Sequence, residues 1–227
     1  MLQKLAQRYW NGCLMLLNMG EDSVNCLGTA FLVNEKGWML TAAHLVVDLD
    51  KLAVSAPPSR TEFAPSYSGK VQAIAVKKLR VDQDADLALL APEQPFEIQL
   101  PTDMFGNSGE LEPGTDMLYL GFAFGHMNLP VLSAGQAILG SKIMTRGGAR
   151  QLVIDNDARF GMVGGPMISA ATGQVVGIIT GGFNPFKELP DSAKTAGRSL
   201  PPGVAPACAS VIEAGVRLIQ AESEAED

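Results

Sequence analysis

Apolar residues along this chain fall in short runs or at alternate positions, and Gly, Asn, Asp and Pro interrupt them at close intervals. Such spacing predicts strands joined by tight turns. Cys13 to Leu17 lies inside an amino-terminal stretch, Met1 to Met19, that reads as the first strand. Gly28 to Val33, the turn Asn34-Glu35-Lys36-Gly37 and Trp38 to Thr41 form a hairpin pattern. Further strands are predicted over Lys51 to Ser55, Gly69 to Val81 and the Leu-Ala-Leu run after Asp86. Beyond residue 115 they recur at Asp116 to Leu120, Val131 to Ile143, Gln151 to Ile154, Met167 to Ala170 and Gln174 to Thr180. The basic residues of the fifth strand, Lys77, Lys78 and Arg80, are expected on a solvated face.

Helical spacing is expected only at the end of the chain. Ser210 and Glu213 make a capping-box pattern ahead of Val211, Ile212, Val216, Leu218 and Ile219, which predicts a helix over 210–222. The acidic residues from Ala221 onward are expected to fray. Residues 91 to 115, rich in Pro and without apolar periodicity, suit a connector between two lobes. The expected architecture is all-β: two barrels, one over 1–108 and one over 109–227, with a carboxy-terminal helix.

Composition narrows the function. The chain has 227 residues, 47% apolar and 18% charged, enough for a substantial core. A net charge of −7 argues against nucleic acid, which is bound by clustered Lys and Arg. No apolar segment approaches the roughly 20 residues that cross a membrane as a helix. Cys13, Cys26 and Cys208 are an odd set, so they make no disulfide framework; a Cys13–Cys26 pair stays open. Lys4 and Arg8 ahead of a short apolar run only faintly mimic a signal peptide, and no small-residue cleavage site follows. These features set the expectation of a cytoplasmic rather than a secreted protein.

Three segments carry candidate chemistry: Thr41-Ala42-Ala43-His44, Asp84-Ala85-Asp86-Leu87-Ala88-Leu89, and Gly161-Met162-Val163-Gly164-Gly165-Pro166. Each alone is more commonly a packed histidine, a solvated turn or an ordinary glycine turn. In this order, and each beside an apolar strand, they strongly resemble the trypsin-like (chymotrypsin-fold) serine proteases, above all the bacterial members. The resemblance covers residues 10 to 210. It implies two antiparallel six-stranded barrels, with His44 as general base and Asp86 as the carboxylate that fixes its tautomer. Asp84 competes for that role, and Asp86 is favoured because the family's acid directly precedes the strand. The resemblance also implies an oxyanion hole made by the Gly161 and Val163 N–H groups. The family places its nucleophilic serine where this chain has Val163.

The resemblance further puts Asp157, six residues before Val163, at the base of the pocket for the side chain preceding the cleaved bond, with Thr180 and Gly182 on its wall. An aspartate there selects Arg or Lys; the alternative is a loop acid, with Arg159 neutralising Asp155 or Asp157. Residues 183 to 206 are expected to form a long loop beside the pocket, serving as a lid or partner surface. His126 has no acidic or cysteine neighbours at ligand spacing and is expected to be structural or exposed. No metal site and no cofactor are expected, and the expected partner is a peptide or protein. Two functions follow: a serine endopeptidase deprived of its nucleophile, or a pseudoprotease that binds a peptide in the same cleft. A hydrolase using another residue is the weakest option, since Ser169 and Thr180 lie on strands away from the turn.

Overall fold

The computed structural model describes residues 1–21, 23–64, 72–94, 98, 100–127, 129–157, 160–184 and 205–226. Within these residues twelve strands close into two antiparallel barrels of six. The first comprises β1 (Cys13–Met19), β2 (Val24–Leu32), β3 (Met39–Ala42), β4 (Leu52–Ser55), β5 (Ile74–Asp82) and β6 (Leu87–Pro92), in the order β1-β2-β3-β6-β5-β4. The second comprises β7 (Asp116–Gly121), β8 (Ser133–Met144), β9 (Arg150–Ile154), β10 (Pro166–Ser169), β11 (Val175–Gly182) and β12 (Ala207–Val211), in the order β10-β11-β12-β9-β8-β7. A helix, α1 (Leu2–Tyr9), precedes the first barrel, and α2 (Ile212–Glu226) follows the second.

Side-chain alternation explains why several strands are apolar on both faces. Along β6, Leu87 and Leu89 enter a core shared between the barrels, while Ala88 and Leu90 fill the first barrel. Strand β1 does the same, with Met15 and Leu17 at the seam and Leu14 and Leu16 inside. On β7, Leu118 and Leu120 face the seam and Met117 and Tyr119 fill the second barrel. Successive strand residues point to opposite faces, so a strand between two cores must be apolar throughout. The barrels are thereby held together by an interior, each buried Leu contributing roughly 1.5–3 kcal/mol.

The two ends of the chain depart from expectation. The first residues coil into α1 because Leu2, Leu5, Ala6 and Tyr9 follow helical spacing; Leu2, Leu5 and Ala6 pack on the seam core. The Tyr9 hydroxyl donates to the Gly173 carbonyl at 2.8 Å, and Arg8 pairs with Asp103. At the other end Ser210 and Val211 belong to a strand the sequence did not suggest, and the helix starts at Ile212. The capping box is not formed: the Ser210 hydroxyl donates to the Ala85 carbonyl, and Glu213 Oε1 accepts from the Ser108 N–H and hydroxyl at 2.8 and 2.9 Å. The acidic end of α2 is anchored on the first barrel by Arg80 Nε to Glu222 (2.7 Å) and Lys36 to Glu226 (2.6 Å). Arg80 therefore has a specific partner, as does Lys78, whose ammonium donates to the Val46 and Val47 carbonyls, and neither merely lines a solvated face. None of the three cysteines forms a disulfide; Cys13 lies opposite Phe31 and Cys26 opposite Leu17, which separates them along the β1–β2 ladder.

Candidate active site

The strand β3 is buried throughout and delivers the chain into a single 3₁₀ turn, Ala43–Leu45, which carries His44. The Val46 and Val47 N–H groups both close that turn on the Ala43 carbonyl at 3.0 Å. The Lys78 ammonium, reaching across from β5, donates to the Val46 and Val47 carbonyls at 3.3 and 3.1 Å. His44 is thus presented on a short, doubly fastened corner, with half of its side chain exposed.

Asp86 ends the turn between β5 and β6 at φ 53°, the one non-glycine among the described residues in the left-handed region. Asp tolerates that region better than most residues. The conformation aims three acceptors at the His44 corner: the Asp86 carbonyl takes the Ala43 N–H (3.0 Å), Oδ1 takes the His44 N–H (2.9 Å), and Oδ2 meets His44 Nδ1 (2.7 Å). Asp84 is exposed on the same turn, so Asp86 is the carboxylate that faces the imidazole. An acceptor at Nδ1 favours the tautomer with its proton there and leaves the Nε2 lone pair outward.

The glycine turn comes from the second barrel and is buried from Gly161 to Pro166. Phe160–Met162 forms one 3₁₀ turn, and Gly164 follows at φ +86°. Its neighbours are close: a Cβ on Gly164 would lie 2.0 Å from the Thr29 carbonyl oxygen, and one on Gly161 would lie 1.9 Å from that of Phe122. Gly28 serves the same approach from the first barrel, since a Cβ there would meet both the Val163 carbonyl oxygen (2.6 Å) and Leu45 Cδ1 (2.8 Å). Val163 and the corner bearing His44 therefore flank one point on β2. The Gly164 N–H donates to the Ile179 carbonyl at 2.7 Å, which lays the turn against β11 just before Thr180.

The remaining predicted residues are placed as follows. Asp157 is exposed, and its N–H donates to the Asn156 side chain. The Asn156 carbonyl accepts the N–H of Ala207, which is the ladder partner of Gly182, so the segment bearing Asp157 and the end of β11 lie on opposite sides of β12. The Thr180 hydroxyl contacts the Cys208 carbonyl and sulfur at 3.4 and 3.6 Å. Asp155 is a structural acid whose Oδ1 accepts the Ile138 N–H at 2.7 Å. Arg159 and all but the ends of the 183–206 loop lie outside the described residues. His126 is exposed and packs on the Phe160 ring, with centroids 5.7 Å apart. Among the described residues no three His, Cys, Asp or Glu side chains are grouped to hold a metal. Burial pushes the Cys26 thiol, beside Gly28 and Gly125, up to about 11.

An imidazole clamped by a carboxylate on one barrel and a glycine turn on the other is an arrangement that known families share. The family model described as a trypsin-like peptidase domain matches residues 28–178, and the chain belongs to that family. Within it, similarity runs to HtrA-type proteins. The chain is 30% identical over 158 residues to the serine protease HTRA1 of Xenopus laevis, covering 67% of this chain and 31% of that one. It is 29% identical over 158 residues to a probable periplasmic serine endoprotease, DegP-like, of Pseudomonas fulva, covering 70% and 29%. The chain therefore spans about a third of the length of the curated relatives it matches. Among solved structures, the HtrA-type protease AlgW with tripeptide superposes at a TM-score of 0.71 with 18% identity, covering 97% of this chain and 62% of that one. The MamO protease domain from Magnetospirillum magneticum superposes at 0.65 with 16% identity, covering 92% and 96%. The bacterial relatives overturn the cytoplasmic expectation, because those named are periplasmic endoproteases. The faint amino-terminal pattern and the odd cysteine count carried too little information to locate the protein.

Proposed function

We propose that this chain is a trypsin-like serine endopeptidase domain whose nucleophile position is held by Val163, so that it binds peptides in the cleft without cleaving them. The observation that carries the reading is the clamp of Asp86 on the His44 corner, made through two acceptors that meet His44 and a third that takes the Ala43 N–H. In the reaction of such a site the imidazole takes a proton from a serine hydroxyl as that oxygen attacks the peptide carbonyl, and later gives it to the leaving amine. Asp86 holds the tautomer and stabilises the imidazolium. Val163 keeps a backbone N–H for the oxyanion but has no atom that can attack, and its two methyls stand where the carbonyl would approach.

The groups that recognise a peptide lie apart from residue 163. Strand β11, running past the turn into Thr180 and Gly182, offers backbone groups to an extended peptide. Asp157, exposed across β12 from Gly182, favours an Arg side chain, through two parallel hydrogen bonds, over Lys. We assign the chain to the periplasm with its bacterial relatives. Calorimetric titration with matched Arg, Lys, Leu and Glu peptides tests the binding: Arg binds tightest and Glu weakest, and Asp157→Asn removes most of the spread. Equal affinities, or a spread that survives Asp157→Asn, would make Asp157 an ordinary loop acid.

A further inference from the structure

We propose that Thr29 is the positioning residue that ties the glycine turn to β3, the strand that leads into His44, and that its hydroxyl is what holds the turn. The inference rests on reading the cleft as a peptidase site. Thr29, on β2, is fully buried, and each of its polar groups is engaged. Its N–H donates to the Val163 carbonyl at 2.8 Å. The hydroxyl donates to the Gly161 carbonyl at 2.7 Å and accepts the Phe122 N–H at 3.0 Å. Its carbonyl accepts the Thr41 hydroxyl at 2.7 Å, and Thr41 lies on β3 three residues before His44.

These bonds fix the turn on both sides of the nucleophile position. Because a peptide unit is planar and trans, fixing a carbonyl fixes the next residue's N–H. The Gly161 and Val163 carbonyls are held by Thr29, and the Met162 carbonyl between them is held by the Gly165 N–H at 3.0 Å. Three successive peptide units of the turn are thus tied, two of them by one residue of the opposite barrel. A backbone amide alone could hold Val163. The hydroxyl, which has one proton to give and lone pairs to accept with, also bridges the Gly161 carbonyl and the Phe122 amide. Valine has the same shape as threonine and supplies neither function; serine retains both.

The test compares Thr29→Val with Thr29→Ser in two backgrounds. In the chain as it stands, amide hydrogen exchange and ¹H–¹⁵N shifts of Gly161, Val163 and Gly164 are measured. Thr29→Val is expected to speed exchange in this turn about tenfold or more, since both hydrogen bonds of the hydroxyl are lost, and Thr29→Ser to leave it near the parent rate. In the Val163→Ser background, Thr29→Val lowers kcat roughly 10- to 100-fold with little change in KM, as misplaced reacting groups do, and Thr29→Ser restores it. A purely structural role would move strands remote from the turn equally and would not separate kcat from KM. Should Thr29→Val fail to fold, Thr29→Ala undergoes the same measurements with the same expected result. Unchanged turn amides in a folded Thr29→Val chain, or Thr29→Ser behaving like Thr29→Val, overturns the inference. If Val163→Ser shows no hydrolysis, the peptidase reading fails, and the exchange data still decide the role of Thr29.

Discussion

Replacing Gly164 by Ala tests how tightly the two barrels close on the turn. At φ +86° any side chain is strained, by roughly 1–2 kcal/mol. The added Cβ would also stand 2.0 Å from the Thr29 carbonyl oxygen and 2.4 Å from Thr41 Oγ1, both on the first barrel. Neither neighbour is the end of a flexible chain, so strands must shift, and overpacking of this kind costs about 1–3 kcal/mol. The sum is on the order of 2–5 kcal/mol, a large part of a domain's ordinary 5–15 kcal/mol. Gly114, at φ +97° with nothing within 4 Å of a Cβ, is the matched control that carries the backbone strain alone. Urea unfolding of Gly164→Ala and Gly114→Ala, read as the difference in midpoint at equal slope, isolates the collision. A Gly164→Ala loss no larger than that of Gly114→Ala would refute the close approach of β2 and β3 to the turn.

Three further outcomes are expected. Burial raises the thiols of Cys13 and Cys26 and the Tyr9 phenol above their ordinary values. A raised acid favours the fold below its ordinary pKa and loses that contribution as pH rises, so stability should fall from about pH 9 toward 11. Unfolding measured across that range should decline less steeply in Cys26→Ser. Ser210→Ala leaves the buried Ala85 carbonyl without its donor and should cost about 1–3 kcal/mol by chemical denaturation, while Ser210→Thr keeps the hydroxyl. Lys36→Ala breaks an exposed pair with Glu226 and should change stability by less than about 1 kcal/mol in the same assay.

Much of the site was legible because its signals are local. His44 follows a short apolar strand, Asp86 precedes another, and the turn at 161–166 advertises its backbone angles through its glycines. The barrels were legible from runs of apolar residues bounded by turns. What escaped depends on neighbours distant in sequence. Gly28 and Thr29 read as strand residues until the second barrel arrives against them. Ala207–Val211 is a strand of small residues that runs directly into α2, so its helix-like continuation hid it. Leu2, Leu5, Ala6 and Tyr9 did carry a helical spacing, but over eight residues it was outweighed by the apolar run that follows. Arg80 and Lys78 looked like a solvated row because nothing near them in sequence reveals α2 or the His44 corner.

The central claim is that only the nucleophile is missing, and peptide hydrolysis by Val163→Ser tests it most directly. Removing the serine of subtilisin costs on the order of 10⁶ in kcat, so restoring one to intact geometry should give turnover far above background. That turnover should vanish in Val163→Ser with His44→Ala and fall steeply with Asp86→Asn, because a neutral amide no longer fixes the tautomer at Nδ1 or stabilises the imidazolium. A folded Val163→Ser chain that cleaves no member of a broad peptide library, or one whose cleavage survives His44→Ala, would contradict the account.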